Sequence, residues 1–219
     1  MVQKKSKVGK TEAAEGLRRG RPRQYEPDQA LAKAAAAFWR GGYAGTSLDE
    51  LSAATGMNRP SLYAAFGDKR DLYLKTLERY QRKSRAKTLE LLADDPPLRV
   101  FLTRFYDGAL EIYRAGGDDA RGCYSISTAP AQATVDAAVR LFLHDSIRGT
   151  DAFLADLIEK ARARGEVARH ADPAALAQIA TATMHTLAVR SRVGASRKEL
   201  KALAAAAIDL ICTGETLRR

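Results

Sequence analysis

Cysteine is scarce in this chain of 219 residues: there are 2, Cys123 and Cys212, far apart and in no CxxC pair. That excludes a disulfide framework, and with only 3 His, none of them clustered, it excludes a zinc module too. Proline (7) and glycine (16) are sparse beside abundant Ala and Leu, which favours helix over a turn-rich β fold. Long apolar runs are missing. The stretch from Ala34 to Trp39 falls far short of the roughly 20 residues that cross a membrane. The first twenty residues carry charges where a signal peptide needs an apolar segment, so cytoplasm is the expected compartment. Catalytic signatures are missing as well: there is no GxSxG, HExxH, P-loop or dinucleotide-binding glycine pattern beside a strand. Acidic pairs such as Asp118-Asp119 sit where helix capping accounts for them. No enzymatic activity, cofactor or metal is expected.

What the chain does have is a lopsided charge. Residues 1–92 hold 19 Lys and Arg against 10 Asp and Glu, whereas residues 93–219 hold 17 against 16. Nearly all of the net +10 therefore lies in the first two-fifths, the mark of a polyanion-binding N-terminal part.

Helix punctuation divides the chain. Residues 1–24 are basic and lack apolar periodicity, so they read as a disordered arm. Glu26-Pro27 starts a helix with Leu31, Ala34, Ala35 and Phe38 on one face, ended by Gly41-Gly42. Ser47-Leu48-Asp49-Glu50 is a capping box for a short helix that Gly56 stops. Asn58 caps the next, in which Leu62 and Phe66 face inward. Two short helices joined by Gly56-Met57-Asn58 match a helix-turn-helix. Asp68 opens a long helix with a stripe of Tyr73, Leu77, Tyr80, Ser84, Thr88 and Leu91, broken at Asp94-Asp95-Pro96-Pro97. Further helices are expected at about 97–115, 122–130, 134–164, 173–192 and 197–213, the last behind a second capping box, Ser196 to Glu199. The expected fold is all-α: a three-helix helix-turn-helix domain (25–70) joined by a long helix to a helical ligand-binding and dimerisation domain (71–219).

A helix beginning at Asn58 suits the major groove. Arg59 can contact guanine O6 and N7 with two bonds, and Ser61 can reach a base edge or a phosphate. Tyr63 offers a hydroxyl to phosphate, and Ala64 and Ala65 keep the helix slim. Lys69, Thr46 and Ser47, at the starts of flanking helices, are placed for phosphates. The bland alternative is a helical hairpin with a tyrosine in its core.

These residues carry a family resemblance. Gly20-Arg21-Pro22-Arg23, Gly42-Tyr43, Thr46 to Leu51, Gly56 to Arg59, Leu62 to Phe66 and Lys69 to Leu72 resemble the DNA-binding domain of the tetracycline-repressor (TetR/AcrR) family over about 60 residues. The resemblance implies repression by occupying promoter DNA, with release when a small molecule binds the C-terminal domain. It places DNA contacts on Thr46, Ser47, Arg59, Pro60, Ser61, Tyr63, Ala65 and Lys69. Some members of that family sense oxidants or electrophiles through cysteine. Cys123 follows Arg121-Gly122 near a helix start, where a cation and the helix dipole favour a thiolate. Release through Cys123 is therefore an alternative mode, and a small buried hydrophobe is the plain one. A nucleoid-type protein that coats DNA evenly is the rival reading of the whole.

Arg19-Gly20-Arg21-Pro22, extended by Arg23, resembles an AT-hook core that lies in a narrow A·T minor groove; a solvated basic tail is the other reading. The last two expected helices are rich in Ala, with Leu176, Ile179, Leu187, Leu200, Leu203, Ile208, Leu210 and Ile211 as larger residues. They suit a four-helix homodimer interface on a palindromic operator, with packing inside the chain alone as the other reading. Phe101, Phe105, Tyr106, Tyr113, Tyr124 and Phe142, with Cys123 and His185, are the candidates for lining a pocket for an unidentified small-molecule effector; core packing is the alternative for each.

Overall fold

Local signals set most of the helix ends. In the computed structural model, residues 26–115 and 120–213 are described, and among them there are helices and no strands. The helices are α1 (Pro27–Gly41), α2 (Leu48–Thr55), α3 (Arg59–Phe66), α4 (Lys69–Glu90), α5 (Leu98–Tyr113), α6 (Tyr124–Ala133), α7 (Ala137–Ala163), α8 (Pro173–Arg192) and α9 (Arg197–Thr213). The basic arm, including Arg19, Arg21 and Arg23, lies outside the described residues, as does Asp118-Asp119.

Ser47 and Glu50 form the expected capping box at α2, and Gly56 closes that helix at φ 73°, in the left-handed region that favours glycine. Asn58 accepts the Ser61 N–H and caps α3, and Ser196 with Glu199 forms the box before α9. The helix expected at 122–130 starts later, at Tyr124, because Gly122 has a positive φ and Cys123 is extended in the N-cap position. It also runs on to Ala133, past Pro130, which lacks the N–H to continue the ladder.

Two apolar clusters hold the chain together. One joins α1 to α4 through Ala34, Phe38, Leu51, Leu62, Phe66, Tyr73 and Leu77, and takes in Tyr124, Ala129 and Val139 from α6 and α7. The other packs α5, α7, α8 and α9 around Phe101, Leu102, Leu154, Ile158, Leu187 and Ile211. Tyr80 touches both. Each fully buried Leu or Phe contributes about 1.5–3 kcal/mol of apolar burial. The expected inward stripe of α4 is present, fully buried at Tyr73 and Leu77 and half-buried from Tyr80 to Leu91.

One expectation is corrected in the last two helices. Leu187, Leu200, Ile208 and Ile211 are buried in the chain's own core, and Leu176 and Leu203 pack against it. The outward apolar face keeps Ile179 of the expected larger residues and otherwise consists of Ala182 and Val189 on α8, Val193 at its C-cap, and Ala202, Ala205 and Ala206 on α9. Leu187, Leu200, Ile208 and Ile211 went inward because each helix has one core-facing stripe, which they share with Ala177, Ala180, Ala188, Ala204 and Ala207.

Candidate nucleic-acid interface

The short helix α3 is fixed at both ends and from behind. Leu62 and Phe66, four residues apart, are buried, and Asn58 caps the N-terminus. At the other end Lys75 Nζ donates to the Phe66 carbonyl at 2.6 Å. The following turn is tight: Gly67 has φ 85°, and a Cβ there would run into the Asp71 carboxylate. Asp68 and Asp71 then make a capping box for α4. With its inner face and ends held, α3 presents Arg59, Pro60, Ser61, Tyr63 and Ala64 to solvent, Tyr63 with 45% of its surface exposed. These are small, polar or cationic side chains on one convex ridge.

The other residues read as DNA contacts are placed as follows. Ser47 is exposed, its hydroxyl accepting the Glu50 N–H at 3.1 Å. Lys69 begins α4, and its ammonium sits 4.5 Å above the Tyr43 ring. Partial burial lowers its pKa, with Glu50 opposing that shift. Thr46 is corrected: it is 2% exposed and its hydroxyl donates to the Gly42 carbonyl at 2.7 Å, closing the α1–α2 corner rather than facing solvent. Ala65 is corrected too, being half-buried against the domain core, one residue before inward Phe66; Ala64 is the outward alanine.

Arg59 is not solitary. Its Nε and Nη2 donate to Asp49 Oδ1 at 3.1 and 2.7 Å. The partner is ten residues away on α2, and no local spacing rule picks it out. The same holds for Arg70, which pairs through Nε at 2.6 Å with Asp136, the N-cap of α7. Arg70 holds the Asp136 carboxyl below the usual carboxylate range.

Behind the ridge, α4 meets α6 in a crossed set of hydroxyls. Thr76 Oγ1 donates to the Tyr73 carbonyl, so in its 2.7 Å contact with Tyr124 the tyrosine is the donor. Thr128 Oγ1 donates to the Tyr124 carbonyl, so Tyr73 is the donor in its own 2.7 Å contact with Thr128. Each tyrosine thus gives its proton to the threonine of the opposite helix. Burial pushes the Tyr73 pKa up to about 12 and that of Tyr124 higher, so both stay donors at neutral pH. Farther along, Tyr80 OH lies 3.5 Å from Cys123 Sγ, and Trp39 Nε1 donates to the Arg121 carbonyl at 3.0 Å.

The residues read as effector contacts are divided between the two apolar clusters. Phe101, Phe105, Tyr106, Tyr113 and Cys123 are buried in the C-terminal cluster, with Phe101 stacked on Phe105 and Tyr106 donating to the Ala180 carbonyl. Tyr124 and Phe142 belong with the N-terminal cluster. His185 is half-buried, and burial lowers its pKa. A cavity of about 230 Å³ between the α4–α5 turn and α7 is lined by Leu92, Leu98, Leu157, Lys160 and, of those candidates, Phe101.

Comparison with known proteins gives the same picture from outside. Residues 30–76 match the model for bacterial regulatory proteins of the tetR family, and residues 101–207 match the tetracyclin repressor-like C-terminal domain. The HTH-type transcriptional repressor ComR of Escherichia coli (strain K12) is 28% identical over 193 residues, 88% of this chain and 91% of that repressor. A TetR transcriptional regulator of Rhodococcus sp. RHA1 is 33% identical, with a TM-score of 0.56, over 85% of this chain and 99% of that one. A cysteine mutant of the TetR family regulator CifR, solved with a 26 bp double-strand operator DNA, is 27% identical. Its TM-score is 0.75, over 86% of this chain and 98% of that one.

Proposed function

The chain belongs to the tetR family of bacterial regulatory proteins, DNA-binding regulators of transcription, and from that premise we propose that it represses by occupying a palindromic operator as a homodimer. The observation that carries the reading is the exposed ridge of Arg59, Pro60, Ser61, Tyr63 and Ala64 on a helix locked from behind. Arg59 and Ser61 read base edges, while Tyr63, Lys69 and Ser47 set register on the phosphates. One such ridge spans too few base pairs for operator affinity, so a second copy supplies the other half-site about one helical turn away. The outward face of Ile179, Ala182, Val189 and Val193 with Ala202, Ala205 and Ala206 is the dimer contact: small residues let two helices from each copy approach closely.

Release by a small molecule acts through the C-terminal helices. The α4–α6 seam is the mechanical link, because anything that moves α6 pulls on the Tyr–Thr pairs that position α4 behind α3. A second reading, release by an oxidant or electrophile, rests on one contact: Cys123 Sγ is hydrogen-bonded by Tyr80 of α4 at 3.5 Å. A group added to that sulfur would separate α4 from the α6 N-terminus.

Footprinting on the gene's own upstream region tests the function. The expected result is protection of a short palindrome, abolished by a small molecule from a screened panel; even coating of DNA would instead support a nucleoid-type protein. In sedimentation, Val189→Asp is expected to give monomers, and unchanged dimers would refute the proposed face. Lys69→Ala is expected to weaken all duplexes alike and lower the salt slope by about one per subunit. Peroxide release that is equal in wild type and Cys123→Ser would remove the thiol reading.

A further inference from the structure

Asp49 stands in the first turn of α2, behind the Ser47–Glu50 capping box, and Arg59 is the first residue of α3, behind the Asn58 cap. Both backbone positions are therefore fixed independently of the contact between the side chains. Those side chains are 52% and 77% exposed for Arg59 and Asp49, so the pair adds little to stability. Its consequence is directional.

A guanidinium carries five N–H donors in one plane. Asp49 Oδ1 accepts from Nε and from Nη2, which occupies one edge of that plane. Both Nη1 protons and the second Nη2 proton stay unused by Asp49; that Nη2 proton and the Nη1 proton parallel to it form the end-on fork. Guanine presents O6 and N7 side by side in the major groove and requires two parallel N–H donors. The edge engaged by Asp49 and the end required by guanine are different parts of the same group, so both contacts can be made at once.

We infer that Asp49 is a specificity-determining positioning residue, which holds the Arg59 guanidinium so that its Nη1–Nη2 end meets a guanine. The inference rests on the α3 interface proposed above. A long side chain is ordered before DNA arrives, so less freedom is lost on binding. The Asp49 carboxylate also brings a negative charge close to the phosphate track. That penalises every duplex, whereas only a duplex with guanine opposite the fork gains the compensating bonds. Asp49 thus widens the difference between cognate and non-cognate DNA, which is what specificity measures.

The test selects sites from a random duplex pool with wild type, Arg59→Ala, Asp49→Ala and Asp49→Asn. Affinities are then measured for the recovered operator and for duplexes with each G·C pair replaced in turn. Arg59→Ala is expected to lose a guanine preference of roughly 5- to 150-fold at one position per half-site. Asp49→Ala should lose about threefold or more of that preference at the same position, keep the others, and bind non-cognate duplex more tightly. Asp49→Asn, which keeps an acceptor without the charge, should fall between, and it carries the test if Asp49→Ala melts early. A full guanine preference in the Asp49 variants, or an equal loss at every position, overturns the inference and leaves Arg59 as a reader. An Arg59→Ala profile identical to wild type overturns both.

Discussion

The outward ridge of α3 and the seam between α4 and α6 are built from similar side chains and use them in opposite ways. On the ridge, Ser61 and Tyr63 are exposed. In the seam, Tyr73, Thr76, Tyr124 and Thr128 are buried and each hydroxyl has a partner. A hydroxyl in water keeps its bonding capacity for a ligand, whereas a buried one must spend it on the fold. The contrast teaches that residue type alone does not mark an interface here; what stands behind the residue does. The ridge also depends on the seam, since α4 packs behind α3 through Leu72, Tyr73 and Lys75.

The comparison breaks most sharply at Tyr73. Tyr73→Ala is expected to cost about 3–5 kcal/mol in urea unfolding and to abolish DNA binding with it. A midpoint near that of wild type would mean the seam does not support the ridge. Thr128→Val leaves the Tyr73 hydroxyl without its acceptor and should cost about 1–3 kcal/mol, while adding Tyr73→Phe should recover part of that loss. Strict additivity in this double-mutant cycle would deny the pair.

Next in size is Asp136→Ala, which removes the N-cap of α7 and should cost about 1 kcal/mol. The same carboxyl has a pH signature. Its pKa is lowered in the folded protein by Arg70, so its contribution is full above the unfolded-state value and is lost as pH falls through the lowered one. Unfolding midpoints followed from neutral into acid solution should therefore drop less in Asp136→Asn than in wild type. At the small end, Ser61→Ala and Arg59→Ala should leave the melting temperature where it is and change only DNA affinity. A lower melting temperature in either variant would place that side chain in the fold rather than on the ridge.

Much of the fold was legible because its signals are local. Ser47 with Glu50, Gly56, Asn58, Asp172-Pro173 and Ser196 with Glu199 act within a few residues, and the helices begin or end there. The ridge was legible for the same reason: Leu62 and Phe66 at helical spacing leave Arg59, Ser61 and Tyr63 outside. Contacts between distant elements were not. Asp49 with Arg59, Arg70 with Asp136, and the Tyr–Thr crossing depend on how helices pack, which no periodicity encodes. Thr46 shows the limit from the other side. Its place before a helix start suits a phosphate contact, yet the α1–α2 corner turns its hydroxyl inward. In α8 and α9, alanines lie on both faces, Ala177, Ala180, Ala188, Ala204 and Ala207 inside and Ala182, Ala202, Ala205 and Ala206 outside, so residue type alone does not tell which face meets a second copy.

Trp39 is the chain's single tryptophan, and its place gives the molecule an optical reporter. The indole is half-buried at the junction of α1 with the α6 N-terminus, hydrogen-bonded to Arg121 and 5.5 Å from the rings of both Tyr80 and Tyr124. Any shift of α6 against the DNA-reading unit changes the polarity and the aromatic neighbours that this one fluorophore senses. Emission from an unlabelled sample, read during titration with DNA or with a candidate effector, would then follow the joint between the two clusters and little else.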